Sequence, residues 1–158
     1  MFKLNRTTEY SLMALRHMSR KHAKDPLEVT SAREISDFYG LPFEITAKTL
    51  LRLKDSGLLQ AAHGAKGGYT LHRSLGDISL AEFLDLMEGQ QSLVACSGES
   101  DHQVSECEYE GRCEIKSLMG KLNQKVIGFL SGIPLADLIR ESSLIQIENI
   151  QNGSRSAQ

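Results

Sequence analysis

Apolar positions in this chain recur at two different periods, and the changes of period mark out its elements. From about Thr7 or Thr8 to Lys21, Leu12, Leu15 and Met18 fall on one face, which predicts an amphipathic helix. Pro26 closes a short loop. Ser31-Ala32-Arg33-Glu34 then predicts a capping box, in which the Ser31 hydroxyl takes the Glu34 amide and Glu34 reaches back. The short helix that follows is expected to put Ile35 and Phe38 inside and to end at Gly40. Leu41-Pro42 opens a third helix, since proline costs nothing in a first turn. Its apolar positions are Phe43, Ile45, Leu50, Leu51 and Leu53, and Gly57 supplies a left-handed stop.

After Gly57 the period shortens. Leu58 to Ala62 reads as a strand, Gly64 to Gly68 as a glycine-rich turn and Tyr69 to His72 as the returning strand. Two short helices joined by a tight glycine turn form a helix-turn-helix, and a hairpin directly after the second of them is a wing. Ser79-Leu80-Ala81-Glu82 is a second capping box, opening a helix with Leu80, Phe83, Leu84 and Met87 on one side and Gly89 at its end. Residues 90–112 are polar, acidic and glycine-bearing. A long helix then carries Ile115, Leu118, Met119, Leu122, Val126, Phe129 and Leu130, stops at Gly132 and Pro134, and gives way to a last turn over Leu135 to Ile139.

The expected fold is mostly α with a small β-hairpin wing, that is, a winged helix-turn-helix followed by a long C-terminal helix. The expected organisation is a DNA-binding domain over residues 1–76, a connecting helix over 77–89, a cysteine-bearing loop over 90–113, the long helix and terminal turn over 114–141, and a polar tail over 142–158.

Charge sharpens this picture. Residues 1–73 hold twelve Lys and Arg against seven Asp and Glu, while residues 74–158 hold six against thirteen. A basic front half joined to an acidic back half suits a chain that meets a polyanion with one end only. A recognition helix reads base edges from its N-terminal residues while cations grip phosphates. The candidates for DNA contact are therefore Glu44, Thr46, Lys48 and Arg52 on the third helix, Arg33 at the start of the second, and His63 and Lys66 in the wing. The chain has no P-loop or dinucleotide-binding glycine pattern, so the wing glycines are not nucleotide binders.

No run of eighteen apolar residues occurs, which rules out a transmembrane helix, and the basic residues scattered through the first helix argue against a signal peptide. A cytoplasmic location is expected, where thiols stay reduced. Three cysteines, Cys96, Cys107 and Cys113, lie within eighteen residues of one another, with ten and then five residues between them. An odd number of thiols argues against a disulfide framework, and paired C-x-x-C knuckles are absent. Spacing alone leaves zinc, an iron–sulfur cluster and bare redox thiols open. A redox enzyme or electron carrier is the remote alternative, because no G-x-S-x-G, H-E-x-x-H or C-x-x-C constellation is present. No enzymatic activity and no small-molecule substrate are expected.

Several stretches together resemble the IscR/NsrR-type winged-helix regulators: Lys3-Leu4 with Thr8-Glu9-Tyr10, Leu51-Arg52-Leu53-Lys54-Asp55-Ser56-Gly57-Leu58, the wing Gly64-Ala65-Lys66-Gly67-Gly68-Tyr69, Ile78-Ser79-Leu80 and the three cysteines. The resemblance runs through residues 2–140. It implies a transcription regulator, a repressor by expectation, that binds a double-stranded DNA operator as a homodimer, the long helix of each copy crossing its partner. It also implies an iron–sulfur cluster, 2Fe-2S or 4Fe-4S, that senses iron–sulfur status, nitric oxide or redox stress. Cys96, Cys107 and Cys113 match the three thiolate ligands. Assembly-type members place a histidine where this chain has Lys116, whereas nitric-oxide-sensing members use a carboxylate from the first helix of the partner copy, at the position that matches Glu9. Glu9 is thus the expected fourth ligand, with His102 as the alternative. The family's base-reading glutamate falls at Ala47, so its operator preference does not transfer.

Overall fold

Asn5, Ser31, Ser74 and Ser79 each stand in extended backbone just before a helix and accept a hydrogen bond from its first-turn amides. These side chains satisfy amides that a helix start leaves unpaired, so they fix where much of the chain begins to coil. The computed structural model describes residues 4–62, 64, 67–89 and 112–139. In chain order these form α1 (Arg6–His22), α2 (Ala32–Tyr39), α3 (Phe43–Asp55), β1 (Leu59–Ala62), β2 (Gly68–Leu71), a 3-10 turn (Leu75–Asp77), α4 (Leu80–Glu88), α5 (Lys116–Ser131) and α6 (Leu135–Ile139). The expected mostly helical fold with a hairpin wing is the fold observed. The 3-10 turn has no counterpart in the periodicity, because three residues are too few to repeat an apolar position. The segment over 142–158 lies outside the described residues.

One core joins most of these elements. Leu15 from α1, Ile35 from α2, Leu50 and Leu53 from α3, Phe83 from α4 and Leu135 from α6 are fully buried in a single cluster. Each such side chain contributes about 1.5–3 kcal/mol relative to an exposed one. The helix over 80–88 therefore packs into the same core as the winged helix. The Asn5 amide donates to Glu88 Oε1 at 2.9 Å, tying the start of α1 to the end of α4. Leu80 N donates to Ile133 O at 2.8 Å and Leu135 N to Ile78 O at 2.7 Å, which pins the turn after α5 against the start of α4.

Phe38 departs from expectation. It is 63% exposed, while Ile35 is fully buried. The α2 stripe that meets the core is Ile35 and Ser36, and Phe38 lies on the flank, where its ring sits edge-on to His17 and Tyr39 at 4.8 and 4.7 Å. In the capping boxes, Ser31 and Ser79 do accept the Glu34 and Glu82 amides, both at 3.1 Å. The glutamate carboxylates do not return to the caps. Cations on other elements compete for them: Lys21 bonds Glu34 at 2.7 Å and Arg73 bonds Glu82 at 2.8 Å.

The hairpin pairs Leu59 with Leu71 and Ala61 with Tyr69. An isolated two-stranded hairpin is marginal in water, and here a third segment supports it. Thr30 N donates to Tyr69 O and Tyr69 N to Thr30 O, both at 2.9 Å. This pairing brings the backbone at Gly68 so close that a Cβ there would sit 2.6 Å from Thr30 O and 2.7 Å from Val29 Cγ1. Gly68→Ala is expected to destabilise the protein by about 1–3 kcal/mol through this overlap, lowering the midpoint of a thermal melt followed by circular dichroism by about 3–10 °C. An unchanged midpoint would show that the strand can shift without cost.

Candidate functional site

The turn between α2 and α3 is set by Gly40, whose φ of 66° lies in the left-handed region that favours glycine. Leu41 N closes it by donating to Ser36 O at 2.9 Å. Beyond the turn, α3 buries Thr46, Thr49, Leu50 and Leu53, a stripe of three- and four-residue steps. The opposite face exposes Glu44, Lys48 and Arg52, one helical turn apart.

Thr46 does not join them. It is 2% exposed, and its hydroxyl donates to Pro42 O at 3.0 Å, bonding back one turn along the helix. The polarity of its side chain suggested a contact residue, but its position on the 46-49-50-53 stripe decides the matter. Conversely, Phe43, Ile45 and Leu51, apolar by type, are 41%, 42% and 46% exposed. Ile45 and Leu51 fall out of phase with the buried stripe, and phase is the signal that could have found them.

Several of the cations have carboxylate partners. Arg6 pairs with Glu9, Lys21 with Glu28 and Glu34, Lys54 with Asp55 and Arg73 with Glu82. Among the described residues Arg33, Lys48 and Arg52, all exposed on α2 and α3, form no ion pair. The Arg33 guanidinium lies over the Phe43 ring, 4.4 Å from its centre. The wing candidates His63 and Lys66 lie outside the described residues, although the strands that carry them are fixed as above.

The helix-turn-helix is locked to α1 by one carboxylate. Glu34 Oε1 is hydrogen-bonded to Lys21 Nζ at 2.7 Å and to His17 Nε2 at 2.9 Å. Lys21 Nζ also donates to Val29 O at 3.1 Å. Burial pushes the Glu34 pKa up, but the bonds and charges of Lys21 and His17 outweigh it and hold the carboxyl below its ordinary value. Burial likewise opposes the charge on Lys21, yet Glu34 and Glu28 hold its pKa above the ordinary one.

Of the four expected metal ligands, Cys113 and Glu9 are described, while Cys96, Cys107 and the alternative His102 lie outside the described residues. Cys113 is a free, partly buried thiol just before α5. Glu9 stands in the first turn of α1, its side chain 45% exposed, with Oε2 accepting from Arg6 at 3.2 Å. Glu9 lines an open cavity of about 420 Å³ with Leu4, Asn5 and Arg6. A reduced thiol and an accessible carboxylate are donors that iron accepts, so the residues present fit such a group chemically. Next to Cys113, α5 buries none of its residues. Ile115 just before it, with Leu118, Leu122 and Phe129, is 45–62% exposed along one face.

The order of helices, the glycine turn and the hairpin define a winged-helix DNA-binding protein. Residues 4–141 match the Rrf2 family, described as an iron-dependent transcriptional regulator, and the chain belongs to that family. The HTH-type transcriptional regulator IscR of Xenorhabdus nematophila is 22% identical over 153 residues, 97% of this chain and 88% of its own. The HTH-type transcriptional repressor NsrR of Streptomyces coelicolor is 26% identical over 135 residues, 85% of this chain and 88% of its own. Two solved structures share the fold. CymR (YrzC), the global cysteine regulator of B. subtilis, superposes with a TM-score of 0.63 at 22% identity, covering 88% of this chain and 97% of that one. IscR of T. potens gives 0.60 at 22% identity and covers 92% of each. The chain is an Rrf2-family transcription regulator, as the resemblance to IscR/NsrR-type regulators implied, and its relatives are regulators rather than enzymes. Among the described residues no helix is long and apolar enough to cross a membrane.

The Glu34 lock yields a pH dependence whose sign is fixed. A carboxyl held below its unfolded pKa contributes stability that is present above that value and lost as the pH falls through the folded one. The Glu34 contribution should therefore disappear below about the ordinary value of 4.5, and that of Lys21 as the pH rises above 10.5. Glu34→Gln should lower stability at neutral pH by about 1 kcal/mol or less, since the group is partly solvated. It should also flatten the acid limb of the stability curve in denaturant melts taken across pH. An acid limb identical to that of the wild type would contradict the assignment.

Proposed function

We propose that this protein is a homodimeric repressor that binds operator DNA through α2, α3 and the wing, and whose DNA affinity is set by an iron–sulfur cluster. The observation that carries the DNA half is the set of unpaired cations. Among the described residues Arg33, Lys48 and Arg52 form no ion pair and lie on the one face a helix-turn-helix turns to DNA, while Arg6, Lys21, Lys54 and Arg73 each have a carboxylate partner. Glu44 and Arg52 on α3 face the groove, Lys48 reaches the phosphates that flank it and Arg33 faces the backbone, with His63 and Lys66 completing the contact from the wing.

The regulatory half rests on three thiols in the chain segment that joins α4 to α5. Cys96, Cys107 and Cys113 would hold the cluster, with Glu9 as the fourth ligand. When bound, such a group supplies a redox-responsive centre, and a carboxylate ligand is more labile than a thiolate. The protein's own part is positional. Cys113 stands at the base of α5, whose exposed apolar face over Ile115, Leu118, Leu122 and Phe129 suits the partner copy, and Glu9 stands on α1 next to the core that carries α3. Ligand state at these two places would bias the spacing of two recognition helices, which must match half-sites about one helical turn apart.

Anaerobically purified protein should be brown and contain iron and sulfide, and Cys96→Ala, Cys107→Ala and Cys113→Ala should each lose the chromophore. A colourless protein holding zinc, or no metal, would replace the cluster with a zinc or thiol switch on the same scaffold. Lys48→Ala should weaken binding to a duplex selected by the wild type from a random pool and reduce the salt dependence of log K by about one unit. An unaltered slope would remove Lys48 from the phosphate contacts.

A further inference from the structure

Arg33 and Phe43 open two successive helices, and the turn at Gly40 folds one start against the other. The result is a guanidinium carbon 4.4 Å from the centre of an aromatic ring, at the surface. Phe43 lies one turn before Thr46, at the end of the buried stripe of α3, and remains 41% exposed. Arg33 is exposed as well and, among the described residues, meets no carboxylate. The ring offers the cation its electron-rich face, and the guanidinium covers part of an apolar surface that would otherwise meet water.

We propose that Phe43 is a positioning residue for DNA binding, holding the Arg33 guanidinium by its face so that its edge grips a backbone phosphate. The inference rests on the DNA reading given above. A guanidinium carries its N–H donors in its plane, so one that rests its face on a ring keeps its fork free for a bidentate contact. The first helix of a helix-turn-helix crosses the backbone while the second enters the groove, and Arg33 belongs to the first. The target is therefore a phosphate and not a base edge. Holding the side chain before DNA arrives removes part of the rotamer entropy that a free arginine loses on binding. The sequence shows no sign of this pairing, because residues ten apart across a turn have no periodic relation.

The test is a double-mutant cycle on the full-length protein, measured by fluorescence anisotropy with a duplex that the wild type selects from a random-sequence pool. Titrations between about 50 and 200 mM salt give the slope of log K. Arg33→Ala should lower that slope by about one unit, the loss of one phosphate contact. Phe43→Leu should raise Kd about two- to fivefold, the weight of one exposed cation–π contact, and should add nothing in the Arg33→Ala background. Phe43→Tyr keeps the ring face and should bind as the wild type does. A thermal melt of Phe43→Leu that stays near the wild-type midpoint separates positioning from folding. If Phe43→Leu keeps its full effect without Arg33, or if Arg33→Ala leaves the slope unchanged while the wild type binds, the inference is overturned and the DNA reading stands. If the wild type itself selects no DNA, both fall.

Discussion

One oxygen of Glu34 holds the start of α2 against α1. Lys21 and His17, one turn apart on α1, both bond to Oε1, and the same lysine reaches on to the carbonyl of Val29. Residue 30, next in the chain, pairs through both backbone groups with Tyr69 in the wing. A stretch of seven residues, 28–34, thus fixes three things at once: where α2 begins, how it lies on α1, and how far the hairpin stands from it. Charge-assisted bonds are stronger than neutral ones, but partly exposed ion pairs add little net stability. What this contact supplies is direction. The buried cluster would hold the helices together without it, and Glu34 selects the angle at which α2, the Gly40 turn and α3 are presented.

The same economy of charge separates scaffold from contact surface. Both capping-box glutamates are drawn from their own helix ends to cations on other elements, Glu34 to Lys21 and Glu82 to Arg73. Those cations become struts and can no longer attract a polyanion. Among the described residues Arg33, Lys48 and Arg52 have no carboxylate partner, and they lie together on the helix-turn-helix. Net charge over the front half therefore matters less than which lysines and arginines the fold has already neutralised.

Much of this was legible in the sequence because local rules and tertiary packing agree. Cap residues at Ser31 and Ser79, glycines at Gly40, Gly57 and Gly89, and the switch from helical to strand period at Leu58 placed the elements to within a residue or two. Legibility ended where a residue's neighbours come from elsewhere in the chain. Phe38 looked like core by type, but the short α2 turns only Ile35 and Ser36 inward. Thr46 looked like a contact by polarity, but helical phase buries it and its hydroxyl bonds to Pro42. The Arg33–Phe43 stack and the diverted glutamates depend on crossings that no single-helix pattern encodes. For the thiols, spacing shows that they cluster and does not show what they bind; Cys113 at the foot of α5 is the one whose surroundings are described.

The tight approach at Gly68 bears on how such a protein can change. The foot of the hairpin is clamped: strand pairing fixes its register, and Thr30 closes over it from the side. Loop length beyond that clamp is a cheap variable, since each doubling of a flexible loop costs only about 0.6 kcal/mol. Insertions, deletions and exchanges of charge at that tip can alter how far the wing reaches along a duplex while the helix angles stay as they are. The hairpin is in this sense an interchangeable fingertip on a fixed knuckle, and drift in target choice can begin there without first destabilising the fold.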